Sequence, residues 1–576
     1  MKTTDLIPLY TEEGERLSDA SIPFYPRPTM VRESFLSLDG EWLFSVTENG
    51  KQLYDGTIRV PFPPESLLSG VHRVFSEKAS LLYEKEFTLP EGFLRNRVIL
   101  YFDAVDQIAT VRLNGTVLGT HIGGYDRFSF DITPYLSEKN TLTVSVLDRL
   151  SDAVLPYGKQ KRKRGGMWYT PISGIWQSVW LESVPETYVK KISVETSLCD
   201  ATLVFDGIRE GVLTLKDSGE TFTVKDGRVT VTPETVRLWS PETPYLYHYT
   251  LQAEGDEIRS YFALRTVSVG KDKNGTPRLF LNGKPYFFHG VLDQGYFPDG
   301  LLTPASPSLY TKDIEAMKSL GFNMLRKHIK KEAEYFYYEC DRLGMAVFQD
   351  MVNNGRYSFL FDTALPTLGL KKLDDRRRHR NTPQRKAFLS EAEKTVNAVR
   401  NHPSVVYYTV FNEGWGQFSA DEVMRVFRQF DSTRIIDATS GWFWQKDSDV
   451  DSLHVYFKPV RVTPSDRPVV LSEFGGYSYK PEGHVSNTKN TYGYRLFSDR
   501  EKFEEAVSEL YRNEVIPAVK NGLSADVYTQ VSDIEDETNG FLSYDRKVLK
   551  VDPDLMQKIA TELFSEFQKH VEADRP

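Results

Sequence analysis

Two apolar runs in the second half of the sequence each end in a glutamate. Residues 405–411 form a β-branched and aromatic run that stops at Asn412 and Glu413, and residues 469–472 form a second run that stops at Glu473. Runs of this kind are typical of buried parallel strands. Two carboxylates at two strand ends favour a (β/α)8 barrel, because the catalytic residues of that fold lie at the C-terminal ends of its strands.

The two glutamates indicate cleavage of a glycosidic bond if their side chains face one pocket. That reaction needs one carboxyl group as proton donor and a second as nucleophile or base. A single glutamate in either place would more often cap a strand or pair with a lysine. Two glutamates in matching contexts, each beside small or aromatic residues suited to a sugar, favour the catalytic interpretation.

The length and charge of the chain limit the remaining choices. A chain of 576 residues is too long for one core, and it predicts about three to four domains. A hydrophobic content of 40% and a charged content of 26% are ordinary for a globular protein. The net charge of -9 argues against nucleic acid or an anionic membrane as the main partner. The aromatic content of 13% weakly favours a carbohydrate partner.

Targeting signals and cysteine pairs are not evident. The stretch Met1–Pro8 leads into an acidic segment without an apolar core, so no signal peptide is predicted. No apolar run approaches the roughly 18 residues of a membrane span. Cys199 and Cys340 lie far apart without metal-ligand spacing, which fits free thiols in a reducing compartment. We expect a cytoplasmic protein without a cofactor, and the sequence leaves a homo-oligomer open.

The first half of the chain has an all-β pattern. In residues 1–183 short apolar runs alternate with turn pairs such as Asn114-Gly115, which predicts a jelly-roll sandwich. Residues 184–270 have the size and pattern of an immunoglobulin-like sandwich. Neither module carries a nucleophile elbow, a phosphate loop or a metal cluster, so both are predicted to be scaffold. For the basic run Lys159–Arg164 a solvated loop is the simpler interpretation, and a loop that reaches the active site is the minor alternative.

Strands and helices alternate over residues 271–576. The apolar runs there predict eight strands, which is the number in a (β/α)8, or TIM, barrel. They are residues 286–291, 322–326, 345–349, 405–411, 435–438, 452–456, 469–472 and 526–530. The predicted fold class is therefore multidomain, with a jelly-roll sandwich, an immunoglobulin-like sandwich and a catalytic barrel in that order.

Five short motifs occur in chain order. They are YPRP at 25–28, LDGEWLF at 38–44, GGYDRFSFDIT at 123–133, LWSPETPYLY at 238–247 and NHPSVVYYTVFNE at 401–413. Together they resemble family 2 of the glycoside hydrolases, the group that contains β-galactosidases and β-glucuronidases. The first three resemble the N-terminal jelly roll of the family, the fourth its middle sandwich, and the fifth its acid/base signature.

This resemblance implies roles for four residues. Glu413 would be the acid/base and Glu473 the nucleophile of a retaining mechanism, in which the two carboxyl groups lie roughly 5 Å apart. Asn412 is expected to donate a hydrogen bond to the sugar 2-hydroxyl. Tyr456 resembles the family tyrosine that hydrogen-bonds the nucleophile. The alternative is that its side chain only packs in the barrel core.

Other strand ends supply candidate sugar contacts, each of which could instead be a structural ion pair or a core group. They are Asp293, His328, Asp350, Trp442 and His454. We expect about half of them to touch substrate. His328 and Asp350 lack a local ligand spacing, so no metal site is predicted.

Three departures from the family pattern concern the substrate. Glu537-Thr538-Asn539 replaces the Asn-x-Lys pair that meets the carboxylate in glucuronidases, so an anionic Glu537 disfavours a glucuronide. Segment 326–330 places Lys327 and Lys330 where the family has Arg-x-Ser-His-Tyr-Pro, which predicts extra positive charge near the pocket mouth. Tyr528 stands where the family often has Trp, which predicts an altered sugar platform.

The sequence thus predicts a retaining exo-β-glycosidase that prefers neutral sugars, with β-galactosides first. The alternatives are a β-uronidase (galacturonidase or glucuronidase), with Lys327, Lys330 or Arg356 as carboxylate clamp, and an arabinopyranosidase or mannosidase. A catalytically inactive carbohydrate-binding protein is the alternative from another class, but such a protein could lose either glutamate. A serine esterase or amidase would need a Gly-x-Ser-x-Gly turn, which the sequence lacks.

Overall fold

The computed structural model describes residues 6–17, 24–370, 372 and 374–572. The sequence predicts no signal peptide at Met1–Pro8, and the first five residues of that stretch lie outside the described ranges. Among the described residues, no helix combines the length and the apolar character that crossing a bilayer requires.

The first module is a β-sandwich built from short amphipathic strands. Its strands are β1 (Phe35–Ser37), β2 (Gly40–Glu48), β3 (Lys51–Val60), β4 (Ser80–Phe87), β5 (Arg97–Phe102), β6 (Val105–Asp106), β7 (Ile108–Leu113), β8 (Thr116–Ile122), β9 (Phe128–Asp131), β10 (Asn140–Leu147), β11 (Gly174–Ile175) and β12 (Val179–Val184). One sheet has the order β1-β12-β5-β9 and the other β3-β2-β4-β10-β7-β8, with antiparallel neighbours. Alternate residues such as Leu142, Val144 and Val146 face the core between the sheets.

The second module is a smaller antiparallel sandwich. Its strands are β13 (Lys191–Thr196), β14 (Ala201–Asp206), β15 (Gly211–Leu215), β16 (Thr221–Val224), β17 (Arg228–Val231), β18 (Tyr247–Ala253) and β19 (Asp256–Phe262). They form sheets of order β13-β14-β17 and β16-β15-β18-β19 around a core that includes Leu203, Leu213 and Leu251. This arrangement is the predicted immunoglobulin-like architecture.

A small sheet then closes one end of the barrel. It consists of β20 (Val267–Lys271), β21 (Pro277–Leu281) and β22 (Lys284–Pro285). Leu279 and Leu281 share one apolar cluster with barrel residues that include Phe288 and Phe348. Because this cluster fills the N-terminal end of the barrel, a substrate can reach the interior only from the C-terminal end.

The third module is the predicted parallel barrel. Its strands, with one short side pair, are β23 (Phe288–Asp293), β24 (Met324–Lys327), β25 (Ala346–Asp350), β26 (Val405–Asn412), β27 (Ile435–Ser440), β28 (Asp451–Val455), β29 (Val469–Gly475), β30 (Tyr477–Tyr479), β31 (Arg495–Phe497) and β32 (Leu523–Thr529). The barrel order is β27-β26-β25-β24-β23-β32-β29-β28, with parallel neighbours. The outer strands β27 and β28 meet through side chains, because Ser452 Oγ donates to Asp437 Oδ2 at 2.6 Å. All eight predicted strands are present, with bounds shifted by a few residues.

Helices surround this barrel. The helical segments are α1 (Glu12–Glu15), α2 (Ser308–Ser319), α3 (Glu334–Leu343), α4 (Leu365–Thr367), α5 (Thr382–Val399), α6 (Ala420–Phe430), α7 (Arg500–Leu510), α8 (Ile516–Ala518) and α9 (Pro553–Glu572), with π-helical turns at Phe359–Ala364 and Tyr511–Val515. Asn381 caps α5 by accepting a hydrogen bond from the Gln384 N–H, and Gly344 ends α3 with a φ of 74°. Cys340 is buried in α3, and both it and the exposed Cys199 are free thiols.

Side chains alternate between the inside and the outside of the barrel. On β24, Met324 belongs to the interior cluster, whereas Leu325 belongs to the layer between strands and helices. Arg326 then points inward and Lys327 outward, where its ammonium lies 4.0 Å from the centre of the Phe336 ring. Because successive side chains of a strand leave on opposite faces, this phase decides which strand-end residue reaches the pocket.

Candidate active site

Glu413 directly follows β26 in a strained backbone turn. Its φ is 52°, in the left-handed region that residues other than glycine rarely adopt. The Glu413 N–H donates to the Ser440 carbonyl of β27 at 2.9 Å, which holds this conformation. The next residue must be glycine, because a Cβ on Gly414 would lie 2.2 Å from the Phe443 ring. Strain of this kind is found at functional sites, where it aims a side chain.

Glu473 lies within β29 and is 5% exposed. Arg326 Nη1 donates to Glu473 Oε1 at 3.1 Å, and the Tyr456 hydroxyl donates to Glu473 Oε2 at 2.6 Å. The same hydroxyl lies 2.8 Å from Thr529 Oγ1 at the end of β32. The Glu473 carboxylate is therefore held from both sides by Arg326 and Tyr456, and Thr529 holds the Tyr456 hydroxyl in place.

A bulge turns Glu473 into the barrel. Val470 belongs to the interior cluster, while Leu471 and Phe474 belong to the outer layer. Strict alternation would place Ser472 inside and Glu473 outside, but the register of β29 against β32 shifts between Leu471 and Phe474. Consequently both Ser472 and Glu473 face the interior, as β-bulges beside active sites commonly re-aim a side chain.

His454 bridges the two glutamates. Its Nδ1 lies 2.8 Å from Glu413 Oε1 and 3.5 Å from Glu473 Oε2. One carboxylate oxygen of each glutamate and one His454 ring nitrogen lie within 4.8 Å of one another. This spacing is close to the roughly 5–5.5 Å of retaining glycosidases and shorter than the roughly 6.5–9.5 Å of inverting ones.

Glu413, His454 and Glu473 could also offer ligand atoms to a metal cation. The Arg326 guanidinium already lies 3.1 Å from Glu473 Oε1, and its fixed positive charge would repel a second cation there. His454 Nδ1 is engaged with Glu413. The donor set suits hydrogen bonding and proton transfer better than metal coordination.

The electrostatic environment keeps Glu473 ionised. Burial by itself raises the pKa of this carboxyl group, but the electrostatic interactions with His454, Arg326 and His328 outweigh it and lower the pKa to about 2. The Tyr456 hydrogen bond acts in the same direction. A carboxylate that is anionic at neutral pH can act as a nucleophile.

Arg326 organises the floor of the pocket, although the sequence analysis did not select it. Its Nε donates to Asp350 Oδ1 and its Nη2 to Asn412 Oδ1, both at 2.9 Å, while its Nη1 also donates to the Ser472 carbonyl at 2.9 Å. The Asn412 side-chain oxygen thus accepts from Arg326, whereas its amide N–H groups form no hydrogen bond with any described residue. These N–H groups are available to a sugar. The sequence feature that could have identified Arg326 is an arginine within an otherwise apolar strand, at a position that faces the barrel interior.

Asp350 and His328 lie behind this floor. His328 Nδ1 lies 2.7 Å from Asp350 Oδ2, so both oxygens of the buried Asp350 are occupied by the histidine and by Arg326. Asp350 thus orients Arg326 and His328, and its predicted contact with a sugar stays a prediction. Burial lowers the pKa of His328 to about 4, and the positive charge of Lys159 adds to that effect. His328 is therefore neutral at neutral pH.

Trp442 stands beside the catalytic pair. Its Nε1 donates to the Glu413 carbonyl at 2.9 Å, and its ring centre lies 5.7 Å from that of His454. His454 Nε2 in turn lies 3.0 Å from Ser440 Oγ, which fixes the ring. Trp442 and His454 remain candidates for contact with substrate.

Asp293 and Tyr528 leave their strands on the outer face. Asp293 Oδ2 accepts from Lys327 Nζ at 2.6 Å outside the barrel. The Tyr528 ring stacks on Phe541 at 4.5 Å in the layer between strands and helices, and Thr529 takes the inward position. These placements lie away from the barrel interior, so the structure gives no support to the predicted sugar contacts of Asp293 and Tyr528.

Lys327 and Lys330 do not add free charge to the pocket mouth. Lys327 Nζ and Lys330 Nζ both donate to Glu332 Oε1, at 3.1 and 2.6 Å, and both lysines are buried. Lys330 Nζ also donates to the Gly295 and Leu302 carbonyls. The positive charge predicted for segment 326–330 is therefore neutralised behind the strand ends.

Comparisons with known proteins agree with this geometry. Residues 273–548 match the model "Glycosyl hydrolases family 2, TIM barrel domain", and residues 67–185 match "Glycosyl hydrolases family 2, sugar binding domain". The chain is 25% identical to a β-galactosidase of Thermoanaerobacter pseudethanolicus over 55% of its own length and 46% of the relative. It is 26% identical to the Homo sapiens β-glucuronidase over 68% of its own length and 65% of the relative.

The fold is shared with solved structures at lower sequence identity. A β-D-glucuronidase of Dictyoglomus thermophilum superposes with a TM-score of 0.72 at 18% identity, covering 93% of this chain and 98% of that one. The chain spans only part of the curated relatives that it matches. The alignments cover 46% of the Thermoanaerobacter pseudethanolicus relative, 65% of the Homo sapiens relative and 35% of a putative β-glucuronidase of Formosa agariphila. On these matches and on the fold, the chain belongs to family 2 of the glycoside hydrolases.

Proposed function

We propose that the protein is a retaining exo-β-glycosidase. The observation that carries this proposal is the pair Glu413 and Glu473, joined by His454 within 4.8 Å at the C-terminal end of the barrel. The pair meets the two requirements of the reaction, since the spacing fits a direct attack and the surroundings of Glu473 keep its carboxylate ionised.

In the first half-reaction Glu473 acts as the nucleophile. A carboxylate oxygen of Glu473 bonds to the anomeric carbon while the bond to the leaving oxygen breaks and Glu413 protonates that oxygen. Arg326 and Tyr456, which hold the two Glu473 oxygens, orient the carboxylate for this attack. The Asn412 amide donates to the sugar 2-hydroxyl, a contact that strengthens in the transition state.

In the second half-reaction water releases the sugar. Glu413, now ionised, takes a proton from a water molecule whose oxygen attacks the anomeric carbon, and the ester bond to Glu473 breaks. Two displacements at one carbon restore its configuration, so a β-glycoside yields a β-sugar first. The His454 ring, whose Nδ1 lies 2.8 Å from Glu413 Oε1, holds the Glu413 carboxyl group in place.

Exo action is supported by the closed shape of the site. The small sheet β20-β21-β22 fills the N-terminal end of the barrel, so the pocket has one entrance. Segments from the first module and from the chain after β32 contact each other beside that entrance, as in the bond from Arg164 Nη1 to Asp536 Oδ1 at 2.9 Å. A wall on this side of the entrance favours binding of a chain end over binding of its middle, and exo action is therefore part of the proposal.

For the substrate we propose a neutral β-glycoside, with β-galactoside first. Glu537 is buried beside the end of β32, where its carboxyl group offers no positive charge to a substrate carboxylate. Lys327 and Lys330, two of the clamps that a uronide could use, are occupied by Glu332. A β-uronide is the second candidate, because relatives bear the names of both enzyme types.

The proposal is tested with nitrophenyl β-glycosides that differ only in the sugar. We expect the highest kcat/KM on the galactoside, lower values on the glucuronide and galacturonide, and no activity in Glu473→Gln. Proton NMR of the product should show the β-anomer first. A product that appears first as the α-anomer would contradict the retaining mechanism, and a preference for a uronide would contradict the substrate.

A further inference from the structure

A loop of the first module lies on the mouth of the barrel. This loop, residues 157–169 and hereafter the basic loop, begins against the exits of β24 and β25. The Tyr157 N–H donates to the Asn353 carbonyl at 3.1 Å, and the Tyr157 hydroxyl donates to the Gly355 carbonyl at 2.7 Å. A Cβ at Gly158 would lie 3.1 Å from the Ile329 carbonyl oxygen, so the backbone there touches the segment after β24.

The far end of the basic loop reaches the segment that follows β32. The Tyr169 hydroxyl hydrogen-bonds Glu537 Oε2, and the Thr170 N–H donates to Glu535 Oε1 at 2.9 Å. Arg164 also binds Asp536. The loop thus runs from the second and third strand exits to the eighth, and it forms one wall of the entrance to the catalytic pair.

Lys159 lies in the middle of this wall. Its carbonyl accepts from the Tyr169 N–H at 3.0 Å, which fixes the backbone, and its side chain is half-buried. Throughout the described ranges its ammonium forms no hydrogen bond or ion pair. The residue before it, Gly158, touches the segment after β24, and Tyr169, which pairs with the Lys159 backbone, contacts Glu537, so Lys159 lies between these two parts of the barrel mouth. In agreement with this placement, its positive charge lowers the pKa of both His328 and Glu537.

Glu537 is the acidic group on the opposite side. It is 4% exposed and accepts from Tyr169, from Gln294 Nε2 at 3.4 Å and from Asn539 Nδ2 at 3.3 Å. Burial raises the pKa of Glu537, and the charge of Lys159 is the first influence that opposes this rise. The Glu537 carboxyl group and the Lys159 charge therefore influence each other across this part of the wall.

We infer that Lys159 is a substrate-binding residue which the first module supplies to the barrel, and that its ammonium donates to hydroxyl groups at the C4 and C6 side of a neutral terminal pyranose. Glu413, Glu473 and Asn412 occupy the C1 and C2 side, so a wall residue faces the other end of the ring. The Lys159 ammonium has three N–H donors that no described residue accepts from, and sugar hydroxyl oxygens can accept from such donors. Glu537 beside it favours hydroxyl groups over a carboxylate. The inference rests on the proposed glycosidase function and deepens it.

The test combines a variant that lacks the Lys159 ammonium with substrates that each lack one sugar hydroxyl group. Lys159→Met keeps the aliphatic stem, and its kcat/KM is compared with wild type on nitrophenyl β-galactoside and on the 4-deoxy and 6-deoxy galactosides. We expect a loss of about 10- to 100-fold on the parent sugar, the scale of a hydrogen bond to a charged group. The loss should shrink to less than about 3-fold on the analogue without the contacted hydroxyl.

The matched control is Lys163→Met, which removes the same charge from an exposed position of the basic loop. It should keep the wild-type kcat/KM on all three sugars. Circular dichroism and thermal unfolding establish that both variants are folded. If Lys159→Met does not fold, Lys159→Gln takes its place. An equal loss on all sugars, or no loss, would overturn the inference.

Failure of the inference is distinguishable from failure of the proposed function. If wild type hydrolyses no glycoside in a Glu473-dependent manner, the proposed function itself fails. If wild type hydrolyses galactosides and Lys159→Met does the same at an equal rate, only the inference fails. If wild type prefers a uronide and Lys159→Met loses more activity on the uronide than on the galactoside, the ammonium binds a carboxylate and the neutral-sugar inference is overturned.

Discussion

Arg326 and Lys327 are neighbours in the chain, yet their side chains leave β24 on opposite faces of the barrel. Arg326 Nη1 donates to Glu473 Oε1 at 3.1 Å inside, whereas Lys327 Nζ donates to Asp293 Oδ2 at 2.6 Å outside. One cation therefore orients the Glu473 carboxylate, and the other stabilises the contact between strands and helices. The same pair provides a variant and its matched control.

Replacing Arg326 should lower turnover strongly. Arg326→Lys keeps the charge but loses the planar fork that binds Glu473, Asp350 and Asn412 together. We expect kcat on nitrophenyl β-galactoside to fall about 100-fold or more. Lys327→Met should lower the melting temperature but keep kcat per folded molecule within about 3-fold, since its charge is outside the pocket. Comparable kcat in Arg326→Lys and wild type would contradict the role of the fork.

Removing the nucleophile should abolish hydrolysis and permit chemical rescue. Glu473→Ala is expected to lose about 10^4-fold or more in kcat, because no glycosyl ester can form. Azide can then enter the vacated space and attack the anomeric carbon, giving the α-glycosyl azide. Product analysis by NMR checks the configuration. A β-azide from this variant would assign the nucleophile to another residue.

Removing the acid should produce losses that depend on the leaving group. Glu413→Ala is expected to lose about 10²- to 10⁴-fold on phenyl glycosides and much less on dinitrophenyl glycosides, whose leaving oxygen needs little protonation. A series of aryl glycosides of graded phenol pKa measures this slope, with wild type as control. Equal losses across the series would exclude Glu413 as the acid.

The Tyr456 hydroxyl should lower the pKa of the nucleophile. It donates to Glu473 Oε2 at 2.6 Å, and this bond favours the ionised carboxylate. In Tyr456→Phe the acidic limb of the kcat/KM profile should move to higher pH, and kcat should fall about 10- to 100-fold. Tyr528→Phe is the control, because the Tyr528 ring packs outside the barrel. An unmoved acidic limb in Tyr456→Phe would disprove the effect on the pKa.

The ionisation of Glu473 should also appear in the stability of the protein. Its pKa is lowered to about 2 in the folded state, whereas an unfolded glutamate has a pKa of about 4.3. The ionised form thus stabilises the fold above about pH 4.3, and this contribution is lost as the pH falls towards 2. The melting temperature of wild type relative to Glu473→Gln should be constant from pH 5 to 7 and fall below that range. A difference that does not change with pH would contradict the lowered pKa.

The sequence by itself identified the features that depend on local pattern. The eight barrel strands follow from apolar runs of strand length, and Glu413 and Glu473 follow from their places at the ends of two such runs. Asn412 could be selected because a residue beside a strand end is close to the pocket in any parallel barrel. Apart from Tyr456, which was selected through the resemblance to family 2, these inferences need only the chain direction and the rule that strand exits meet at one end.

The tertiary structure alone decided which neighbours face the substrate. Strand position did not separate inward Arg326 from outward Asp293 and Tyr528, because the phase of alternation depends on how each strand is tilted and paired in the closed sheet. The bulge in β29 reverses the face that strict alternation assigns to Glu473. Lys159 lies on another module, far away in the sequence, and only the packing of that module on the barrel brings its charge to the pocket.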